Sequence, residues 1–257
     1  MIVLISFSIF ILLKFETGMK LPLFYKPDIN TLDIDVVLDE PASKHIIQVL
    51  RMKNGEQLQL TNGKGNLFTV EITDDNRKKC QVTILQKFEI QNPKSKITIA
   101  ISPVKNSSRF EWFLEKATEI GVTEIIPLLC ERTEKQHFKF ERMHGILVSA
   151  MLQSQQAWLP VLHEPVRFIK YVVDTKNEQG FQKYIAHCED ETNKVSLINK
   201  LQNNKGNKLM LIGPEGDFTK AEINLALTHH FIPVALGDTR LRTETAGIVA
   251  AAMMCNI

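Results

Sequence analysis

Two short stretches hold residue types that could do chemistry. GPEGD (213–217) directly follows the apolar run KLMLI (208–212), and GDTRLR (237–242) directly follows IPVAL (232–236). Each opens on glycine, which lets backbone approach a ligand closely. Each also leads into a helical pattern, so the unpaired N–H groups of a helix start face the space beyond a strand end. Neither stretch is a phosphate loop, because GxxxxGK[ST] and GxGxxG are both absent. The Pro214-Glu215 pair suits a ligand read by backbone amides and carbonyls, such as an adenine edge or a cation. Arg240 and Arg242 alternate with Thr239, Leu241 and Thr243, and guanidiniums this close to a buried strand end need partners. Two tight turns with capping residues would be the structural alternative. Hydrolysis by Glu215 and Asp217 is disfavoured, since carboxylates two residues apart on a turn have no defined separation.

The elements that must position these loops form two halves. From Met19 to about Glu89 the apolar period is two, with turn signals between the runs. EQLQL (56–60), LFTVEIT (67–73) and CQVTILQKF (80–88) read as strands, separated by TNGKGN and DDNRKK. PASKHIIQVL (41–50) reads as one short helix with Ser43 as its cap. A small β-barrel is the simplest packing, and QNPKS (91–95) reads as the linker.

From Lys96 strands alternate with helices. KITIAISPV (96–104), VTEIIPLLC (122–130), KYIAHC (183–188), KLMLI and IPVALG (232–237) read as strands. SSRFEWFLEKATEIG (107–121) reads as a helix with a Ser108–Glu111 capping box and Gly121 as C-terminal cap. ERMHGILVSAMLQSQQAW (141–158), TKAEINLALTHH (219–230) and TETAGIVAAAMM (243–254) read as further helices, the second with a Thr219–Glu222 capping box. Apolar strands alternating with helices predict an α/β fold with a parallel sheet covered on both faces.

The 257 residues carry a net charge of +2, which gives no global argument for nucleic acid or membrane. Cys80, Cys130, Cys188 and Cys255 are scattered, with no CxxC pair, and no HxxxH spacing is present; a reduced cytosolic protein without metal is the reading. The first apolar run stops at Lys14, after 13 residues, short of the roughly 17–25 that span a bilayer. Met19 therefore reads as the start and residues 1–18 as a non-native or disordered extension, the competing reading being a short hydrophobic anchor. Trp112 and Trp158 read as core.

At this point IGPEGDF (212–218) and LGDTRLRTETAG (236–247) resemble the two signature loops of the RsmE family, 16S ribosomal RNA uridine-N3 methyltransferases of the SPOUT class. The resemblance runs almost the whole length from Met19. HIIQVLRMKNGEQLQLTNGKGNLFTVEI (45–72) is similar to the family's PUA-like RNA-binding barrel. KNSSRFEWFLEKATEIGVTEIIPL (105–128) and SAMLQSQQAWLP (149–160) resemble two further family stretches. It implies a PUA-like β-barrel over 19–90 and a SPOUT domain over 96–257, a parallel sheet tied in a trefoil knot, assembled as a homodimer.

The implied cofactor is S-adenosylmethionine, cradled by the backbone of Leu211, Gly213, Gly216, Leu236, Gly237 and Leu241, with Ile212, Pro214, Glu215 and Thr243 completing the expected site. The implied partner is 16S ribosomal RNA or the small ribosomal subunit, with no membrane. Arg240 and Arg242 are candidates to stabilise charge on the uracil oxygens, and Glu244 or Glu215 to accept the N3 proton. Glu244 could instead pair with Arg242, and Glu215 could cap backbone amides.

RNA contacts would come from local basic clusters: Lys44, His45, Arg51 and Lys53; Arg77, Lys78 and Lys79; and Lys105 with Arg109. Residues 19–89 hold ten Lys/Arg and ten Asp/Glu, so that half is neutral. Two departures from the family pattern stand out. Asp217 occupies a usual glycine position, and QSQQ (153–156) lacks the basic residue that usually follows the serine. A SPOUT enzyme acting on another RNA, or a non-catalytic RNA-binding assembly factor, are the rival readings.

Overall fold

The computed structural model describes residues 21–134, 137–175, 180–189, 194–202 and 206–256. The expectation for residues 1–18 lies outside them. Two compact units divide at Gln91/Asn92.

The first unit is built from β1 (Leu23–Tyr25), β2 (Asp35–Val37), a short helix α1 (Glu40–Lys44) running into a π-helical turn (His45–Val49), β3 (Gln57–Thr61), β4 (Asn66–Asp74) and β5 (Gln81–Glu89). The sheet order is β1-β3-β4-β5-β2, antiparallel except for the β1–β3 pair. Register shifts leave Leu85 of β5 and Thr73 of β4 unpaired and bend the β4–β5 pair, because each extra residue increases local twist. The sheet thus curls into a half-barrel with β1 and β2 as its edges. Leu58, Leu60, Phe68, Val70, Val82 and Ile46 fill its hollow, all fully buried. The helix cap differs from the expectation. Asp39, not Ser43, receives the Ala42 N–H at 2.8 Å. Ser43 is buried and accepts the Cys80 N–H at 2.9 Å, tying α1 to the start of β5.

The second unit continues with β6 (Ile97–Ile101), α2 (Ser107–Ile120), β7 (Glu124–Leu129), α3 (Phe140–Gln153), β8 (Val161–Leu162), β9 (Val166–Arg167), α4 (Phe168–Asp174), β10 (Phe181–Ala186), β11 (Val195–Ser196), α5 (Leu197–Leu201), β12 (Asn207–Ile212), α6 (Lys220–Thr228), β13 (Ile232–Ala235) and α7 (Thr243–Asn256). The order β11-β13-β10-β12-β6-β7-β8 is parallel throughout, with β9 also parallel on β7. Period-two alternation sorts the strands onto two cores. Ile97, Ile99, Ile101, Met210 and Ile212 face α2, α3, α5 and α7, while Ala100, Leu209, Leu211 and Ile185 face α4 and α6.

Three local expectations are corrected. The α2 cap is Asn106, which accepts from Ser108 N–H at 2.9 Å; Glu111 instead forms a two-bond pair with Arg142. The 141–158 helix ends at Gln153, because Gln155 adopts φ +57°. Gln156 Nε2 then donates to the last carbonyls of α2, at Thr118 and Glu119. Trp112 is 45% exposed rather than core. Gly121 does end α2 at φ +104°.

α7 lies close on the sheet. A Cβ added at Gly247 would sit 2.7 Å from Phe113 Cε2 and 2.8 Å from Ile101 Cδ1. Lys208, itself buried, donates to Met254 O at 2.8 Å and closes the helix end. Gly247→Ala gains roughly 1 kcal/mol of helix propensity, but the clash outweighs it. Urea denaturation is expected to show a net loss of about 1–2 kcal/mol.

At the opposite strand end, buried Glu124 accepts from Thr98 Oγ1 at 2.7 Å, and pairs with Lys96 at 2.9 Å and His163 at 2.7 Å. Burial pushes its carboxyl up, but the bonds from His163, Lys96 and Thr98 outweigh that and hold it at about 2. A depressed carboxyl stabilises the fold above its unfolded value, and that stability is lost as pH falls from about 4.5 towards 2. The stability difference between wild type and Glu124→Gln should therefore shrink over that acid range, read by urea denaturation at each pH.

Candidate functional site

Strands β13, β10 and β12 are adjacent and end together at Ala235, Ala186 and Ile212. In an open parallel sheet the loops beyond those ends form the ligand crevice. Here they enclose a cleft of about 750 Å3, in the range of small-molecule sites. GPEGD and GDTRLR do not leave neighbouring strands; β10 runs between them, so His187 and Cys188 line the cleft too. The strand KYIAHC was legible in the sequence, and its last two residues were the signal that would have found this wall.

The 213–217 turn is held from outside. Asp217 N–H donates to Pro214 O at 2.9 Å. Arg132 Nη1 donates to Gly216 O at 2.7 Å, and Lys105 N–H to Glu215 Oε1 at 2.9 Å. A Cβ at Gly213 would meet the Phe218 ring at 3.1 Å and the Phe218 backbone N at 3.2 Å, so glycine there allows the chain to fold back over that ring. Asp217 adopts φ +63°, a conformation Asp tolerates better than most residues other than glycine. Thr219 and Glu222 form the expected capping box at α6. Glu222 does more: its buried Oε1 accepts the Glu131 N–H at 2.8 Å, joining this turn to the one that carries Arg132. Arg132 was not singled out from the sequence.

The third wall is the 236–242 loop and the first turn of α7. Arg240 and Arg242 are exposed, line the cleft, and make no ion pair among the described residues. Glu244 lines it as well and is only 5% exposed. Its ion partner is Arg109 of α2, at 3.8 Å, not Arg242. Its Oε2 is buried and has no hydrogen-bond partner among the described residues. A buried, unsatisfied carboxylate oxygen is costly. His187, also in the cleft wall, has its pKa lowered by burial and by Lys194, with Asp217 and Glu189 opposing.

Of the ten residues expected to cradle a cofactor, Ile212, Gly213, Pro214, Glu215, Leu236, Gly237, Leu241 and Thr243 line the cleft. Leu211 does not; it points into the α4/α6 core, fully buried. Gly216 does not either, and stands outside against Arg132. The nucleic-acid candidates lie in both units. Arg109 lines the cleft, and Lys105 pairs with Glu134 at 3.0 Å. In the half-barrel, Lys44 pairs with Glu40, and Lys53 with Asp75 at 3.7 Å. The latter pair brings the turn bearing Arg51 beside the exposed turn bearing Arg77 and Lys78. Among the described residues no group of three or more His, Cys, Asp or Glu could hold a metal, and no helix is long and apolar enough to cross a membrane.

The residues present suit a nucleoside-sized ligand carrying a positive charge. Ile212, Val234, Leu236 and Ala246 offer apolar surface, the glycine turns offer backbone, and Asp238 adds a carboxylate to the lining. Truncating Glu222 to Ala removes the capping box and leaves the Glu131 N–H unpaired. Chemical denaturation is expected to show a loss of about 2 kcal/mol, and Glu222→Gln, which keeps one acceptor but sets an NH2 against the other backbone N–H, recovers only part of it.

Residues 91–255 match a family model described as an RNA methyltransferase domain, and residues 38–85 one described as an RNA methyltransferase PUA domain. The ribosomal RNA small subunit methyltransferase E of Synechocystis is 31% identical over 87% of this chain and 73% of its own length. A solved chain from Porphyromonas gingivalis is 41% identical with a TM-score of 0.82, covering 90% of this chain and 95% of that one. The Neisseria gonorrhoeae ribosomal RNA small subunit methyltransferase E, solved bound to S-adenosyl methionine, is 28% identical with a TM-score of 0.81, covering 91% and 97%.

Proposed function

The chain belongs to the RNA methyltransferase family of small-subunit ribosomal RNA enzymes, and from that premise we propose that it methylates N3 of a uridine in 16S ribosomal RNA. It is an S-adenosylmethionine-dependent ribosomal RNA methyltransferase. The observation that carries the proposed chemistry is the buried Glu244 carboxylate, its Oε2 unpartnered among the described residues, in one cleft with two exposed arginines.

When bound, S-adenosylmethionine supplies an electrophilic methyl group on a sulfonium. The backbone of the 213–215 and 236–237 segments would hold it, with Ile212, Val234 and Ala246 supplying apolar surface. N3 lies on the Watson–Crick edge of uracil, so the base must leave its pair or stack before it reacts. Glu244 Oε2 accepts the N3 proton. Arg240 and Arg242 face the negative charge that then appears on the uracil oxygens, and a fixed cation is worth most where charge develops. Arg109 balances Glu244 before the substrate arrives. Glu215 is committed to the Lys105 amide, which disfavours it as the base. Arg51, Lys53, Arg77 and Lys78 hold RNA phosphates on the half-barrel. We further place the chain in the cytoplasm as a homodimer, with α7 threaded through the segment bearing 213–219 as a trefoil knot.

Mass mapping of methylated nucleotides in ribosomal RNA from cells with and without this protein tests the target. One 16S uridine should lose its N3 methyl group, and an unchanged uridine pattern would sink the proposal. In vitro, Glu244→Gln should lower kcat by about 10²-fold or more while cofactor affinity changes little. Wild-type turnover in that variant would remove Glu244 as the base.

A further inference from the structure

Two walls of the cleft, the turn after β10 and the turn after β12, are joined by one side chain. Asp217 Oδ2 accepts the Cys188 N–H at 2.7 Å, and Asp217 Oδ1 accepts the Phe218 N–H at 2.8 Å. Cys188 lies two residues past the end of β10, where the strand ladder no longer supplies a partner for its amide. Both Cys188 and Asp217 line the cleft. Asp217 stands at φ +63°, which an L-residue adopts at a cost, so its side chain must compensate for the backbone it sits on. Each of its two oxygens has a separate amide to satisfy. Asparagine would present one acceptor and one donor to two donors, and glycine would present nothing.

We propose that Asp217 is a positioning residue for the cofactor. Its carboxylate latches the 187–189 turn to the 213–217 turn and fixes the spacing of these two walls before the ligand arrives. The inference rests on the methyltransferase reading for the identity of that ligand. Ordering both turns during folding removes that entropic cost from the binding step. Affinity for S-adenosylmethionine should therefore depend on the latch more than turnover does, since the group assigned to proton transfer lies on the third wall, in the first turn of α7.

The test uses the full chain as wild type, Asp217→Gly and Asp217→Asn. Glycine relieves the backbone preference and removes both bonds. Asparagine keeps a residue suited to positive φ and disrupts one bond. Calorimetry with S-adenosylmethionine should give a Kd about tenfold higher for both variants, with kcat at saturating cofactor lowered less than twofold. Hydrogen exchange at the Cys188 amide should be at least tenfold faster in both, a readout that a general loss of stability would spread over the whole sheet. Three results overturn the latch: a glycine variant that binds as tightly as wild type, an asparagine variant indistinguishable from it, or unchanged exchange at Cys188. A wild-type chain that binds no S-adenosylmethionine ends the cofactor reading itself, and the positioning role with it. Wild-type binding with unaltered variants ends the latch alone.

Discussion

The close approach of α7 to β6 and α2 at Gly247 is the constraint on which the site depends. No side chain larger than hydrogen fits between that backbone and the Phe113 ring without displacing one of them. With the helix seated there, its first turn lands beside the ends of β12 and β13, and Glu244 is carried into the cleft wall, almost wholly buried. A helix standing further from the sheet would leave Glu244 in solvent, where a carboxylate needs no partner and has no reason to await one. The Lys208 bond to Met254 O fixes the far end of the same helix, so both termini of α7 are positioned by the sheet.

Around that helix the cleft is assembled from turns that are satisfied from behind and open in front. Arg132, Lys105 and Glu222 take up the outward groups of the 213–217 turn and its helix start. The backbone nearest the cleft is left to a ligand, at rigid positions, which is where precise placement is most effective. The charged groups divide in the same way. Acids already committed to backbone amides, Glu215 and Asp217, shape the walls, while Glu244, Arg240 and Arg242 remain available for chemistry.

The sequence and the structure part company in instructive places. Periods of two and 3.6 located the five central strands and the four longest helices of the second unit, because an apolar residue on the wrong face is expensive along a whole element, but the seven-residue α4 was missed. Caps were less legible. Asp39 and Asn106 hold the helix starts assigned to Ser43 and Ser108, since several neighbouring polar residues could each serve and only the backbone path selects one. Elements of two to five residues, such as β8, β9, β11 and α5, carry too few side chains to show a period. Among the site residues, the side chain of Leu211 turns into the α4/α6 core while that of Ile212 turns the other way, because consecutive strand positions face opposite cores and the phase is set by which helices cover each face.

By itself the sequence determined the two-part organisation, the parallel α/β class of the second part, and the two glycine turns at strand ends, because these follow from local periodicity and from backbone that only certain residues tolerate. Tertiary structure alone decided that β10 runs between those two turns, that Arg109 rather than Arg242 faces Glu244, and that Asp217 reaches across to Cys188. Strand order and contacts between residues far apart in the chain depend on how the layers stack, and no local pattern encodes that.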